Sequence, residues 1–144
     1  LTYSKSDGAV KESARHIEDA QDHPETTYPR VEGKRIPGAS GHDPLHRLFH
    51  DRTRGRQNRE GYAVPVCNQQ WPGYPELSQD CDEYPFASTY EGATRHLYDD
   101  GPYGRFSLRP ILFSDNQSAG SRLGTWYGAD RILDGDAFYV RIVE

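Results

Sequence analysis

The chain has 144 residues and a mass of 16.4 kDa, which suits one compact domain and leaves little room for two. Apolar residues make up 34% of the sequence, enough for a small core, and a mean hydropathy of -0.92 excludes a membrane-spanning protein. The net charge of -5 argues against a protein that coats nucleic acid through overall positive charge.

The two cysteines, Cys67 and Cys81, belong to no Cys-x-x-Cys motif, which excludes zinc-ribbon and thioredoxin-like proteins. We expect a disulfide between them because residues 68–80 form a Pro-containing loop that nothing else anchors; two unrelated buried thiols are the alternative. A disulfide predicts an oxidising compartment and therefore a secreted protein. The chain starts at Leu1 without a signal-like pattern, so we expect it to be the mature part of a longer product.

Residues 1–40 are polar and interrupted by Pro and Gly, with a weak helical pattern over Val10–Ala20. They predict a partly extended N-terminal arm with few apolar anchors, followed by a domain at 41–144. A helix is expected over about 44–59, with Asp43 as its cap.

This predicted helix carries a dense run of positive charge, comprising Arg47, Arg52, Arg54, Arg56 and Arg59. Because Arg suits bidentate phosphate contacts, a phosphate-binding surface is one interpretation and a solvated helix is the other. The region also holds His42, His46 and His50, spaced four apart. On one helix face two of them would suit a transition metal, and exposed histidines are the alternative.

Residues 105–113 alternate polar and apolar before becoming continuously apolar, which favours a strand that runs into the core. Ser114 would cap a following helix that ends at about Ala129. Gly120, Gly124 and Gly128 would give this helix one glycine face open to a close backbone approach. A hairpin over 131–143, with its turn at Asp134-Gly135, completes an α+β fold.

The densest polar cluster opens with the adjacent carboxylates Asp82 and Glu83. On an extended segment they point in opposite directions, so one can face a site while the other supports it; adjacent surface charge is the alternative. A second cluster, residues 114–117, follows the predicted strand at the start of a helix. Oxygen atoms there suit Mg²⁺, which takes one or two protein oxygens together with waters and substrate phosphate.

Three segments follow one another in a recognisable order. They are Cys81-Asp82-Glu83-Tyr84-Pro85-Phe86-Ala87-Ser88-Thr89 with Glu91-Gly92, Ser114-Asp115-Asn116 with the polar and Gly positions through Gly120, and Leu133-Asp134-Gly135-Asp136-Ala137-Phe138. Together they resemble the NucA/NucB family of secreted deoxyribonucleases, over about residues 67–143. The resemblance implies a ββα-metal nuclease, in which a small antiparallel sheet and a helix hold one divalent cation, Mg²⁺ or Mn²⁺, for hydrolysis of DNA.

By this resemblance Asp82 takes the place of the general base, Glu83 stands beside it, and Glu91 is a third catalytic candidate. Asp115 and Asn116 fall on the metal-binding helix as candidate ligands. Asp115 is one methylene shorter than the Glu of the family pattern, so Asn116 or a water-bridged contact is the expected ligand.

The scissile phosphate would be held by Arg105, Arg109 or Arg122. DNA is the expected partner, no membrane contact is expected, and a proteinaceous inhibitor or immunity protein would be a further partner. The chain would act either as a free secreted enzyme or as the cytotoxic domain of a larger protein.

Two other functions remain open from the sequence. One is a small secreted ribonuclease that needs no metal and uses Glu91, His96 and an Arg as acid, base and phosphate clamp. The other is a non-catalytic module, stapled by the disulfide, that binds nucleic acid through residues 47–59.

Overall fold

The computed structural model describes all 144 residues and has an α+β fold, as predicted. Its strands are β1 (Thr2–Ser4), β2 (Leu45–His46), β3 (Gln79–Tyr84), β4 (Ser107–Leu112), β5 (Ala137–Phe138) and β6 (Arg141–Val143). Its α-helices are α1 (Lys11–Asp22), α2 (Arg52–Arg56), α3 (Val64–Gln70) and α4 (Phe113–Ala129).

A two-stranded antiparallel unit, β3 with β4, leads directly into α4 and forms the ββα arrangement expected from the sequence. In its register Asp82 lies opposite Arg109 and Tyr84 lies opposite Ser107. Helix α4 ends at Ala129 as predicted but begins at Phe113, and no side chain of the capping residue closes its first turn. The prediction of Ser114 as the cap is therefore wrong.

The N-terminal segment contributes to the main core. Tyr3, Val10, Ala14, Ile17, Ala20 and Ile36 are buried there with residues of α4 and the C-terminal strands. Strand β1 also pairs in parallel with β6, so the two chain ends lie side by side. The segment has few apolar side chains, as expected, but six of them are buried in this core, so the segment packs against the rest of the domain.

The predicted helix over 44–59 is wrong in its first half. Leu45 is fully buried and pairs with Phe138 of β5, so this stretch is extended. The helix begins at Arg52 instead, with the Asp51 carboxylate accepting a hydrogen bond from the Arg54 backbone N–H at 3.0 Å. It continues through a π-helical stretch into α3. Long-range strand pairing outweighs local helix signals here.

The predicted hairpin over 131–143 is also wrong, although its turn at Asp134-Gly135 forms and Gly135 has a φ of +79°. Strand β5 pairs with β2 and strand β6 pairs with β1, so neither pairs with the other. The glycine face of α4 is open, since a Cβ at Gly120, Gly124 or Gly128 would meet no atom within 4 Å. The expected close backbone approach there is wrong.

The Cys67–Cys81 disulfide is present and joins α3 to β3. Both half-cystines are fully buried in a second, smaller core with Tyr74, Phe106 and Leu108. The bond therefore fixes the residue that directly precedes Asp82. None of the helices combines the length and the apolar character that crossing a bilayer demands.

Replacing both cysteines, Cys67→Ser with Cys81→Ser, should lower the free energy of unfolding by about 2 to 5 kcal/mol, the usual range for a native disulfide in a small domain. Urea unfolding with and without reductant measures this. The wild type should lose stability on reduction, whereas the double variant should be insensitive to reductant. Two titratable thiols in the native, unreduced protein would contradict the presence of the disulfide.

Candidate active site

One face of the β3–β4 pair carries two of the predicted site residues, Asp82 and Arg109. Successive side chains of a strand alternate between faces, so Asp80, Asp82 and Tyr84 share one side. Arg109, opposite Asp82, points to that same side, since directly paired residues share a face. Helices α1 and α4 pack over it, and we call it the carboxylate face.

Asp82 is held on this face by a histidine from α1. The fully buried His16 ring contacts Asp82 Oδ2 through Nδ1 at 2.7 Å and Ser107 Oγ through Nε2 at 2.7 Å. With Asp82 ionised, Nδ1–H donates to the carboxylate and Nε2 accepts the Ser107 hydroxyl. Asp82 Oδ1 accepts no hydrogen bond from the protein, so one oxygen of an oriented carboxylate stays free.

Glu83 points away from the carboxylate face, as expected for neighbours on a strand. Its Oε2 accepts a hydrogen bond from Arg59 at 3.1 Å, while its Oε1 is buried without a partner. Burial raises the pKa of Glu83 to about 7, although the attraction of Arg59 opposes the rise. Glu83 is therefore only partly ionised near neutral pH.

Arg59 links the two sides of β3 at its edge. Besides Glu83, its guanidinium donates to both Asp80 carboxylate oxygens at 3.1 Å. Asp80 Oδ2 also accepts from the Asn116 amide at 2.6 Å. A continuous chain of contacts thus runs from Glu83 through Arg59 and Asp80 to the first turn of α4.

The two predicted metal ligands, Asp115 and Asn116, differ in whether a side-chain oxygen remains available to a cation. Asp115 is buried, and its carboxylate accepts hydrogen bonds from the backbone N–H groups of Glu12 and Ser13 and from the Ser13 hydroxyl, at 2.7 to 3.0 Å. It thereby satisfies the N-terminus of α1, which lacks a cap of its own. Asn116 donates through its amide nitrogen, which leaves its carbonyl oxygen unused.

The oxygen atoms of Asp115 and Asn116 offer few ligands to a hard cation. No group of three or more His, Cys, Asp or Glu side chains is arranged to hold a metal ion. Mg²⁺ does not require such a cage, because it commonly binds through one or two protein oxygens and keeps several waters. The Asn116 carbonyl oxygen meets that requirement, whereas Asp115 is already occupied by α1.

The three arginines expected to hold phosphate are each paired with an acid. Arg105 contacts Asp99 at 2.6 Å, Arg109 contacts Asp19 at 2.8 Å and Arg122 contacts Asp7 at 2.7 Å. Arg109 alone lies on the carboxylate face. The basic residue that contacts the site carboxylates is Arg59.

Glu91 lies outside β3 and β4 and takes part in a separate contact, with His46. Its buried carboxylate accepts hydrogen bonds from the His46 backbone N–H at 2.9 Å and contacts His46 Nδ1. His96 instead packs edge-on against Tyr62 and Tyr103. Glu91 and His96, the acid and base of the ribonuclease alternative, thus each have other partners in the protein.

The sequence reasoning missed His16, Asp80 and Ser107, and it named Arg59 only as one of a run of arginines. A signal for His16 existed: Ser13 and His16 interrupt the buried stripe of α1 formed by Ala14, Ile17 and Ala20. Buried polar side chains need partners, so their presence in an apolar stripe indicates a polar contact. Arg59 is one of five neighbouring arginines, and nothing local distinguishes it. The three histidines at 42, 46 and 50 share no helix face, since all precede α2.

Comparison with known proteins agrees with this geometry. The sequence model of the deoxyribonuclease NucA/NucB family matches residues 43–141, which includes β3, β4 and α4. No curated protein sequence matches the chain. The matched range covers well over half of the sequence and contains Asp82, Glu83, Asn116 and Arg59, although it leaves out α1 and His16. The chain is thus a member of the deoxyribonuclease NucA/NucB family.

Proposed function

We propose that this protein is a divalent-metal-dependent endonuclease that hydrolyses DNA phosphodiester bonds. Family membership implies deoxyribonuclease activity. The observation that carries the finer proposal is the contact of Asp80 with both Arg59 and Asn116, two residues before Asp82 on the same face of β3. The proposed base Asp82, the Arg59 guanidinium and the neutral carbonyl oxygen of Asn116 therefore belong to one end of the ββα unit.

In this proposal Asp82 accepts the proton of the attacking water at its free oxygen, Oδ1. His16 fixes the orientation of the carboxylate by donating to the other oxygen, and Ser107 fixes His16 in turn. This arrangement restricts the base to one geometry, which is the main requirement for a positioned general base. The buried location of His16 keeps water from competing for Asp82 Oδ2.

Arg59 and Asn116 act on the phosphate side of the reaction. Asn116 would hold Mg²⁺ or Mn²⁺ through its carbonyl oxygen, and the cation would neutralise charge on the phosphate and the departing oxygen. Asp80 orients both side chains, and Glu83 supports Arg59 from the opposite face. Glu91, which contacts His46, has a structural role in this proposal.

Secretion is part of the proposal. A buried disulfide between α3 and β3 suits an oxidising compartment, since such bonds are rare in reducing ones. A secreted nuclease would meet DNA outside the cell, and a producer cell would need an inhibitor or immunity protein if the chain acts as a toxin domain.

Asp82→Asn should leave the protein folded and reduce the rate of plasmid cleavage by at least about 100-fold, the usual effect of removing a general base. Asn keeps the size of the side chain but cannot accept the proton at neutral pH. The matched control is Asp22→Asn at the exposed end of α1, which should cleave like the wild type. Near-normal cleavage by folded Asp82→Asn protein would remove Asp82 from the mechanism.

Plasmid cleavage should require added MgCl₂ or MnCl₂ and should stop with EDTA. Asn116→Ala should shift the metal titration to higher concentrations and lower the maximal rate, because it removes the proposed ligand oxygen. Gln117→Ala, the exposed neighbour on α4, serves as control and should titrate normally. Cleavage of RNA that persists in EDTA would instead support a metal-independent ribonuclease.

Stability should depend on pH through Glu83. Burial raises the Glu83 pKa from an ordinary 4.5 to about 7, so the folded protein binds this proton more tightly than the unfolded chain. The resulting stabilisation is complete below pH 4.5 and is lost as pH rises to about 7. Glu83→Gln lacks this titration, so its stability relative to the wild type should improve by about 3 kcal/mol over that range.

Urea unfolding of both proteins across this pH range measures the difference. Glu76→Gln, at an exposed position, should give a curve parallel to that of the wild type. Parallel curves for Glu83→Gln and the wild type would show that Glu83 titrates at an ordinary pKa.

A further inference from the structure

A groove of about 370 Å³ lies between α2 and residues 87–88, on the side of the molecule that Arg59 reaches. Its charged lining consists of Arg52, Arg56, Arg59, Asp51 and Glu60, and the half-exposed ring of Phe49 also lines it. Three of the five arginines in the basic segment therefore open onto one surface. Arg54 turns away and stacks on Tyr90 and Tyr98.

Arg52 and Arg56 are the unpaired cations of this groove. Both are exposed, and neither makes an ion pair or a side-chain hydrogen bond. Because they are four residues apart on α2, they lie on the same helix face. Arg105, Arg109 and Arg122, in contrast, are each neutralised by an acid within the protein.

The inner end of the groove meets the candidate active site through Arg59. Its guanidinium contacts Asp80 and Glu83, which flank the strand position of Asp82. A chain lying along Arg52 and Arg56 would therefore reach the proposed centre at Arg59.

We propose that this groove binds the phosphodiester backbone of the DNA strand, with Arg52 and Arg56 contacting phosphates beside the scissile bond. The proposal rests on the proposed deoxyribonuclease function and assigns the path of its substrate. Charge complementarity favours a polyanion, since these free guanidinium groups belong to the most basic segment of a protein whose net charge is -5.

The two acids in the groove affect binding differently. The Asp51 carboxylate is already used to cap α2 by accepting the Arg54 N–H. Glu60 is exposed, has no partner and lies next to Arg59. Glu60 therefore opposes the phosphate backbone, and its removal should tighten DNA binding.

The test measures binding of a short fluorescein-labelled DNA duplex to the full chain carrying Asp82→Asn, in EDTA so that no cleavage occurs. Adding Arg52→Gln with Arg56→Gln should weaken binding about tenfold at low salt. It should also reduce the slope of log Kd against log salt by about two, one for each lost phosphate contact. Adding Glu60→Gln instead should lower Kd.

The control pair is Arg15→Gln with Arg141→Gln, which removes the same charge from exposed, unpaired arginines outside the groove. This pair should bind DNA nearly as the parent does, with an almost unchanged salt slope. Cleavage is measured in protein that keeps Asp82. There, Arg52→Gln with Arg56→Gln should raise KM for plasmid with kcat unchanged, because neither arginine contacts the reacting atoms.

Equal salt slopes for the groove pair and the control pair would overturn the assignment of this surface, even if the enzyme cleaves DNA. Conversely, a salt slope reduced by about two in the groove pair, with a nearly unchanged slope in the control pair, would uphold the surface even if no cleavage is found with any metal. The failure of the groove and the failure of the proposed function are therefore distinguishable.

Discussion

The arrangement of the carboxylate face depends on how α1 is docked. Two buried acids receive it: Asp115 satisfies the backbone N–H groups at its N-terminus, and Asp82 contacts His16 in its middle. Arg109 adds a third contact, to Asp19 near its C-terminal end. A buried carboxylate without hydrogen bonds carries a large desolvation cost. Helix α1 supplies the hydrogen bonds that these buried acids need, and the acids in turn satisfy donors of α1. The helix and the strand pair therefore fix each other's position.

This mutual dependence separates two kinds of acidic residue that look alike in a sequence. Asp115 and Asp82 are both buried, but all of the Asp115 oxygen atoms are engaged in supporting α1, whereas Asp82 keeps one free. Glu83 differs again, because its partner is the Arg59 guanidinium at the edge of the strand and one of its oxygens is unsatisfied. Hydrogen-bond satisfaction, more than burial, distinguishes Asp115, which supports α1, from Asp82, which keeps one oxygen available.

The sequence was sufficient where structure is determined by neighbours along the chain. Strand β4, the end of α4, the disulfide and the opposite orientation of Asp82 and Glu83 all follow from local alternation or a short loop. It failed where pairing joins distant segments. Residues 45–46 carry local helix signals yet become a strand because Phe138 pairs with Leu45, and the role of His16 requires Asp82 and Ser107 to be adjacent in space. No local pattern records those partners.

The parallel pairing of β1 with β6 has a topological consequence. Strand β1 immediately precedes the helix that orients Asp82, and its only strand partner is the last strand of the chain. The Leu1 ammonium donates to Tyr139 and the Ser4 hydroxyl donates to Glu144, which extends this closure to both ends. During synthesis β1 has no strand partner until β6 has emerged. Contacts between segments far apart in the sequence form late, because the entropy cost of closing the intervening loop comes before the stabilising energy of the contact. The strand that immediately precedes the helix contacting Asp82 is therefore held by a pairing between segments far apart in the sequence.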